Sequence, residues 1–177
     1  MNKERIIYLD HAATTYLDEE VKKVMDRYWE EKYANPSSPY GIGKRVKEDI
    51  EKARSTISNI LGIEDPKQII FTAGGTESIN LAIIGVVEQK SKRSHIITSS
   101  IEHRAVLHSC KFLEENGHKA TYLPVDKEGF IDITSLQKNI RKDTILVSIM
   151  YANNEIGTIQ PLKEISSTLK KINTKRS

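Results

Sequence analysis

The 177-residue sequence holds a single cysteine, Cys110. One thiol excludes an internal disulfide framework and a cysteine-rich metal site, and no metal is expected. No apolar run approaches the ~20 residues needed to span a membrane. Met1-Asn2-Lys3-Glu4-Arg5 leads into only four apolar or aromatic residues before Asp10, too short a stretch for a signal peptide. The cytoplasm is therefore the expected compartment. A large excess of charge of one sign is lacking as well, the net charge being +3. Lys170, Lys171, Lys175 and Arg176 supply much of the basic excess, and such a cluster reads as a solvated helix face or tail. No recognition motif accompanies it, so direct nucleic-acid binding is not expected. Internal repeats are also lacking. What is present is an ordinary globular composition, 38% hydrophobic and 29% charged. The length suits one domain, or one domain and part of another.

Along the chain, a short extended segment over 6–9 precedes a helix over 18–32, spaced by Val21, Val24, Met25, Tyr28 and Trp29. A loop rich in Pro, Ser and Gly runs from Asn35 to Gly43. A long amphipathic helix follows over 44–61 and stops at Gly62. Strands and helices then alternate. Strands are expected over 68–72, 95–98, 119–124 and 144–150. Helices are expected over 77–89, 104–115, 134–140 and 161–172, the last with a proline at its start. This alternation predicts an α/β fold built on a mostly parallel, buried sheet with flanking helices. Ligands of such sheets gather beyond the carboxyl ends of the strands. Three distinctive loops fall there: Gly74-Gly75-Thr76, Ser99 to His103, and Ala152-Asn153-Asn154-Glu155. The sequence stops one helix after a strong strand and closes on Asn-Thr-Lys-Arg-Ser, which reads as an interrupted, incomplete fold.

The stretch Phe71-Thr72-Ala73-Gly74-Gly75-Thr76-Glu77-Ser78 carries the clearest chemistry. A β-branched run ends in paired glycines, and a helical pattern begins at once (Ile79, Ala82, Ile83, Val86, Val87). Glycines allow a ligand to approach the backbone closely. The free N–H groups of a first helical turn, with the positive end of the helix dipole, attract phosphate. Thr76 is placed to cap the helix and to offer its hydroxyl to the same anion. Taken alone, the turn reads equally well as a device that lets strand and helix pack. Asn153-Asn154-Glu155 reads equally well as a plain turn, since Asn tolerates left-handed backbone. Glu77 and Glu102 read as partners of helix starts.

Read together, five segments in order carry a resemblance. They are Tyr8-Leu9-Asp10-His11-Ala12-Ala13-Thr14-Thr15, Tyr33-Ala34-Asn35-Pro36-Ser37-Ser38, Thr72 to Ser78, Ile101-Glu102-His103-Arg104-Ala105-Val106, and Ala152-Asn153-Asn154-Glu155-Ile156-Gly157-Thr158. Over 6–165 the chain closely resembles the N-terminal half of cysteine desulfurases of the NifS/IscS type, which are class V, pyridoxal-phosphate-dependent enzymes of aminotransferase fold type I. The resemblance implies an N-terminal lead-in over 1–17. The N-terminal part of the cofactor-binding large domain would follow over 18–177, without its C-terminal remainder or the small domain. It implies pyridoxal 5'-phosphate as cofactor, with Gly75 and Thr76 on its phosphate. His103 would stack on the pyridine ring and assist proton transfer, a role suited to an imidazole. Asn154 would bond the phenolic oxygen. Ala12, Ala13, Thr14 and Asn35 would line the substrate side. His11 and Tyr16 replace the family's commoner Asn and Pro.

Two residues imitate the family's missing parts. Cys110 sits among Leu107, Phe112 and Leu113 on a helix and is expected to be buried and inert, whereas the family's persulfide cysteine comes much later on a mobile loop. His118-Lys119 imitates the family's cofactor lysine but sits at the start of a strand. The aspartate on the pyridine nitrogen, the lysine that holds the cofactor and the nucleophilic cysteine all fall beyond the matched part. The resemblance implies L-cysteine as substrate, L-alanine as product, and a persulfide destined for iron–sulfur clusters or tRNA thiolation. It also implies a homodimer and a sulfur-acceptor or scaffold partner. The 177 residues alone are expected to be inactive. The alternatives are another class V activity (selenocysteine lyase or aminotransferase), or a non-catalytic module that pairs with a separate C-terminal half.

Overall fold

The computed structural model describes residues 6–90 and 93–174. The expectations for Met1 to Arg5, and for Lys175 and Arg176 of the basic tail, lie outside the described residues. The chain forms two compact units that divide between Phe71 and Thr72.

Unit 1 is helical. Helix α1 (Glu19–Glu30) begins where the Asp18 carboxylate accepts the N–H groups of Glu20 and Val21. Helix α2 (Gly41–Leu61) ends on Gly62, whose left-handed φ of 67° suits a helix C-terminus. It starts three residues before the expected Lys44. There the loop before it packs so closely that a Cβ on Gly43 would lie 2.7 Å from the Ser38 carbonyl and 2.8 Å from that of Asn35. The strand expected over 68–72 is not formed. A 3-10 turn (Pro66–Gln68) is followed by extended but unpaired backbone, and the Ile69 carbonyl accepts a bond from the Arg54 guanidinium instead of a ladder N–H. The segment 6–9 is likewise unpaired.

Unit 2 holds a parallel three-stranded sheet of order β2-β1-β3, from β1 (His95–Ser99), β2 (Lys119–Leu123) and β3 (Thr144–Ser148). Helices α3 (Gly75–Glu88), α4 (Arg104–Glu115), α5 (Ile133–Asn139) and α6 (Leu162–Thr174) flank it. Every residue of β1 is buried, as a central parallel strand covered on both faces must be. Ile96 packs with Ile83, Val87, Val106, Cys110 and Leu113 from α3 and α4. Ile97, on the opposite face, packs with Leu123, Ile131, Leu136 and Ile165. Cys110 is fully buried, as expected, and burial pushes its thiol up to about 11, helped by the charges of Glu114 and Glu102. Lys119 opens β2 as an ordinary strand residue.

Candidate functional site

The sequence Gly74-Gly75-Thr76 forms the start of α3, with Gly74 as an N-cap that has no side chain to offer. Thr76 stands inside the first turn and does not cap the helix, contrary to expectation. The Glu77 carboxylate instead reaches back to accept the Ala73 N–H at 2.6 Å, and the Thr72 and Ser78 hydroxyls meet at 2.6 Å. The first helical N–H with a backbone partner is that of Ser78, on the Gly74 carbonyl. The N–H groups of Gly75, Thr76 and Glu77, and the Thr76 hydroxyl, have no acceptor among the described residues. A Cβ at either glycine would meet nothing within 4 Å. Packing within this chain therefore does not require glycine at these positions. Exposed free donors at a helix start fit an anion.

Helix α4 begins at the carboxyl end of β1, and His103 is its N-cap: Nδ1 accepts the Ala105 N–H at 3.1 Å. With Nδ1 engaged as an acceptor, a neutral ring carries its proton on Nε2, which has no hydrogen-bond partner among the described residues, and His103 is exposed. Asn80, five residues beyond Gly75, lies with Oδ1 2.7 Å from the hydroxyl of Ser109, five residues beyond Arg104. Helix α4 leaves the carboxyl end of β1 and leads back to the start of its parallel neighbour β2, and α3 ends at Glu88 shortly before β1 begins at His95, so both helices run back along the sheet toward the strand starts. Their starts, one carrying Gly75 and Thr76 and the other His103, lie at the same end of the sheet.

The third loop follows β3, which neighbours β1 in parallel and so delivers its loop to that end too. Asn153 builds the turn. Its Oδ1 accepts the N–H groups of Glu155 at 2.8 Å and Ile156 at 3.0 Å, and its Nδ2 donates to the Ile101 carbonyl at 2.9 Å. Asn154 is exposed, and its side chain has no hydrogen-bond partner among the described residues. The sequence reading left two options for Asn153-Asn154, a plain turn or a functional loop. The turn belongs to the first asparagine and leaves the second free. Behind it, Gln160 clasps the 126–131 turn, its Nε2 donating to the Gly129 carbonyl and its Oε1 accepting the Ile131 N–H.

Glu102, expected from the sequence as a partner of a helix start, is buried beside His103. Its Oε1 accepts the Ser99 hydroxyl at 2.7 Å and the Met150 N–H at 2.8 Å. Burial pushes its carboxyl above the usual range, opposed by those two donors and by the Ser99 N–H. The structure thus gathers Gly75, Thr76, His103 and Asn154 at one end of one sheet. Ala12, Ala13, Thr14 and Asn35 belong to unit 1. There the N–H groups of Ala13 and Thr14 turn back on the Asp10 carbonyl, and the Asn35 Oδ1 accepts the Ser37 N–H at 2.8 Å.

Comparison with known proteins gives this geometry a family. Residues 7–175 match the aminotransferase class-V family. The chain is 53% identical over 168 residues to the cysteine desulfurase IscS of Dictyoglomus turgidum, covering 94% of this chain and 42% of that protein. Among solved structures, a NifS-like protein superposes with a TM-score of 0.91 at 43% identity, over 95% of this chain and 46% of the other. A structure described as SspA in complex with cysteine superposes with a TM-score of 0.89 at 37% identity, over 94% and 48%. The chain thus spans less than half the length of these relatives. The expected fold type I is borne out by the NifS-like neighbour, and the chain belongs to the class-V aminotransferases.

Proposed function

We propose that these residues form the N-terminal part of the large domain of a cysteine desulfurase, residues 18–177 following a lead-in over 1–17, and that they hold pyridoxal 5'-phosphate. The observation that carries the reading is the set of unpaired donors at the carboxyl end of the sheet: three N–H groups at Gly75, Thr76 and Glu77, with the Thr76 hydroxyl. They suit a phosphate dianion, since all are donors and all lie at the positive end of α3. The exposed His103 face suits a stacked aromatic ring, and its Nε2 is available to move a proton. The free Asn154 amide suits a phenolic oxygen. When bound, the cofactor supplies the electron sink for chemistry at the substrate's carbon atoms. Ala12, Ala13, Thr14 and Asn35 are proposed for the substrate side.

The proposed overall reaction takes L-cysteine to L-alanine and leaves the sulfur as a persulfide on an enzyme thiol, for iron–sulfur clusters or tRNA thiolation. Cys110 is not that thiol, because it is buried and held protonated. A lysine and a cysteine outside these 177 residues would complete the site, within a cytoplasmic homodimer that passes sulfur to an acceptor protein. Two measurements test this. Titration of residues 1–177 with pyridoxal phosphate, followed by absorbance, is expected to show saturable binding that inorganic phosphate competes away. Sulfide release from L-cysteine is expected to be absent for these residues alone. Failure to bind the cofactor, or sulfide release by the isolated chain, would overturn the corresponding half of the proposal.

A further inference from the structure

We infer that Glu102 and Asn153 are positioning residues. They form a reciprocal brace that sets the His103 loop and the Asn154 loop relative to each other before any ligand arrives. Each residue sits beside the group it positions, and each bonds across to the other loop. Glu102, next to His103, accepts the Met150 N–H from the end of β3 at 2.8 Å. Asn153, next to Asn154, donates to the Ile101 carbonyl after β1 at 2.9 Å. Both residues are buried, at 7% and 8% exposure, which limits the competition of water for these bonds. Both are also anchored on their own side, Glu102 by the Ser99 hydroxyl and Asn153 by the N–H groups of Glu155 and Ile156.

The chemistry of the pair is directional. The Ser99 hydroxyl and the Met150 N–H both donate to Oε1 of Glu102, which suits a carboxylate. Asn153 must accept on one atom and donate from the other, which only an amide side chain does here. The two strands beneath are parallel neighbours, so their loops emerge side by side, but a sheet ladder does not fix loop-to-loop spacing. The brace does, at two points on opposite sides of the gap. Such fixed support for contact residues is what preorganises a site. The consequence for cofactor geometry rests on the reading of His103 and Asn154 as ring contacts. The brace itself does not.

The test uses the full chain and reads amide hydrogen exchange without ligand, then pyridoxal phosphate and inorganic phosphate binding. Glu102→Ala changes the first loop. It is expected to speed exchange at the Glu155 and Ile156 N–H groups of the other loop about tenfold, the scale of losing one hydrogen bond to a charged group. The N–H groups of His95 and Lys119, at the opposite end of the sheet, should not change. Asn153→Asp keeps the oxygen that accepts the N–H groups of its own turn and replaces the Nδ2 donor of the cross-bond with an oxygen. It is expected to speed exchange at the Ala105 N–H, which reports the seat of His103. Glu102→Gln retains an accepting oxygen and should restore most of the protection. In both damaging variants, pyridoxal phosphate affinity should fall about tenfold while inorganic phosphate affinity holds. Exchange that stays unchanged across the gap, or that rises equally at His95 and Lys119, overturns the brace. Unaltered cofactor affinity in both variants, where the wild type binds the cofactor, overturns the positioning of His103 and Asn154 by the pair. Should the wild type bind no pyridoxal phosphate while the exchange pattern appears, the brace stands and the cofactor reading falls. Should Glu102→Ala not fold, Asn153→Asp decides by the Ala105 signal.

Discussion

Gly75 separates a packing role from a binding role at the scale of one residue. A methyl group there meets no atom within 4 Å, and the residue lies in the first turn of a helix. Gly75→Ala is therefore expected to raise stability by about 0.5–1 kcal/mol, because alanine loses less backbone freedom in a helix. The same methyl crowds the approach to the free N–H groups, so pyridoxal phosphate affinity should fall about tenfold or more. Urea unfolding and an absorbance titration measure the two effects. A drop in stability with unchanged affinity would return the glycine to a packing role. Gly75, Thr76, His103 and Asn154 can be proposed from the sequence because each belongs to a short contiguous motif. Glu102 and Asn153 were legible as residues but not as a brace, since their cross-loop partners stand 48 and 52 residues away. Nothing local marks such a pairing.

Among the elements, β1 shows most clearly how a strand is held in register. His95 at its start is fully buried. Its Nδ1 lies 2.7 Å from the Thr144 hydroxyl of β3 and its Nε2 2.8 Å from the Thr121 hydroxyl of β2. One ring thus joins all three strands at the end of the sheet opposite the candidate site. Burial pushes the His95 pKa down, and the Arg141 charge adds to it. A histidine whose folded pKa lies below its unfolded value, near 6.5, contributes stability that is present above that value and lost as pH falls below it. Stability is expected to decline below pH ~6.5 with a slope approaching about 1.4 kcal/mol per pH unit for one proton. His95→Gln should remove that component of the slope. Urea midpoints of both proteins from pH 7.5 to 5 check this, and parallel curves would refute it. The helices and the three strands of unit 2 follow the expected periodicities closely. The segment 68–72 does not, since β-branched residues favour an extended backbone without supplying a neighbour to pair with.

Over the whole molecule, burial is unequal. Among the described residues, Val46 is the one buried apolar residue of unit 1, while the others lie in unit 2. Helix α1 buries none of its residues. Native-state hydrogen exchange is expected to show the amides of β1 and β2 opening only with global unfolding, and those of α1 and α2 opening at much lower free energy. Equal protection in α2 and β1 would contradict this. The sequence by itself determined the fold class, the family, and the order of the strands and helices of unit 2, and it marked the glycine turn at 74–76. Each of these is written in local periodicity or contiguous motifs. Only the tertiary structure decided that the paired glycines are free of packing duty and that Asn153 makes the turn while Asn154 is left open. It also decided that Glu102 and Asn153 tie two loops together. Such assignments depend on which donors meet which acceptors across parallel strands, and the sheet brings those groups together from distant parts of the chain.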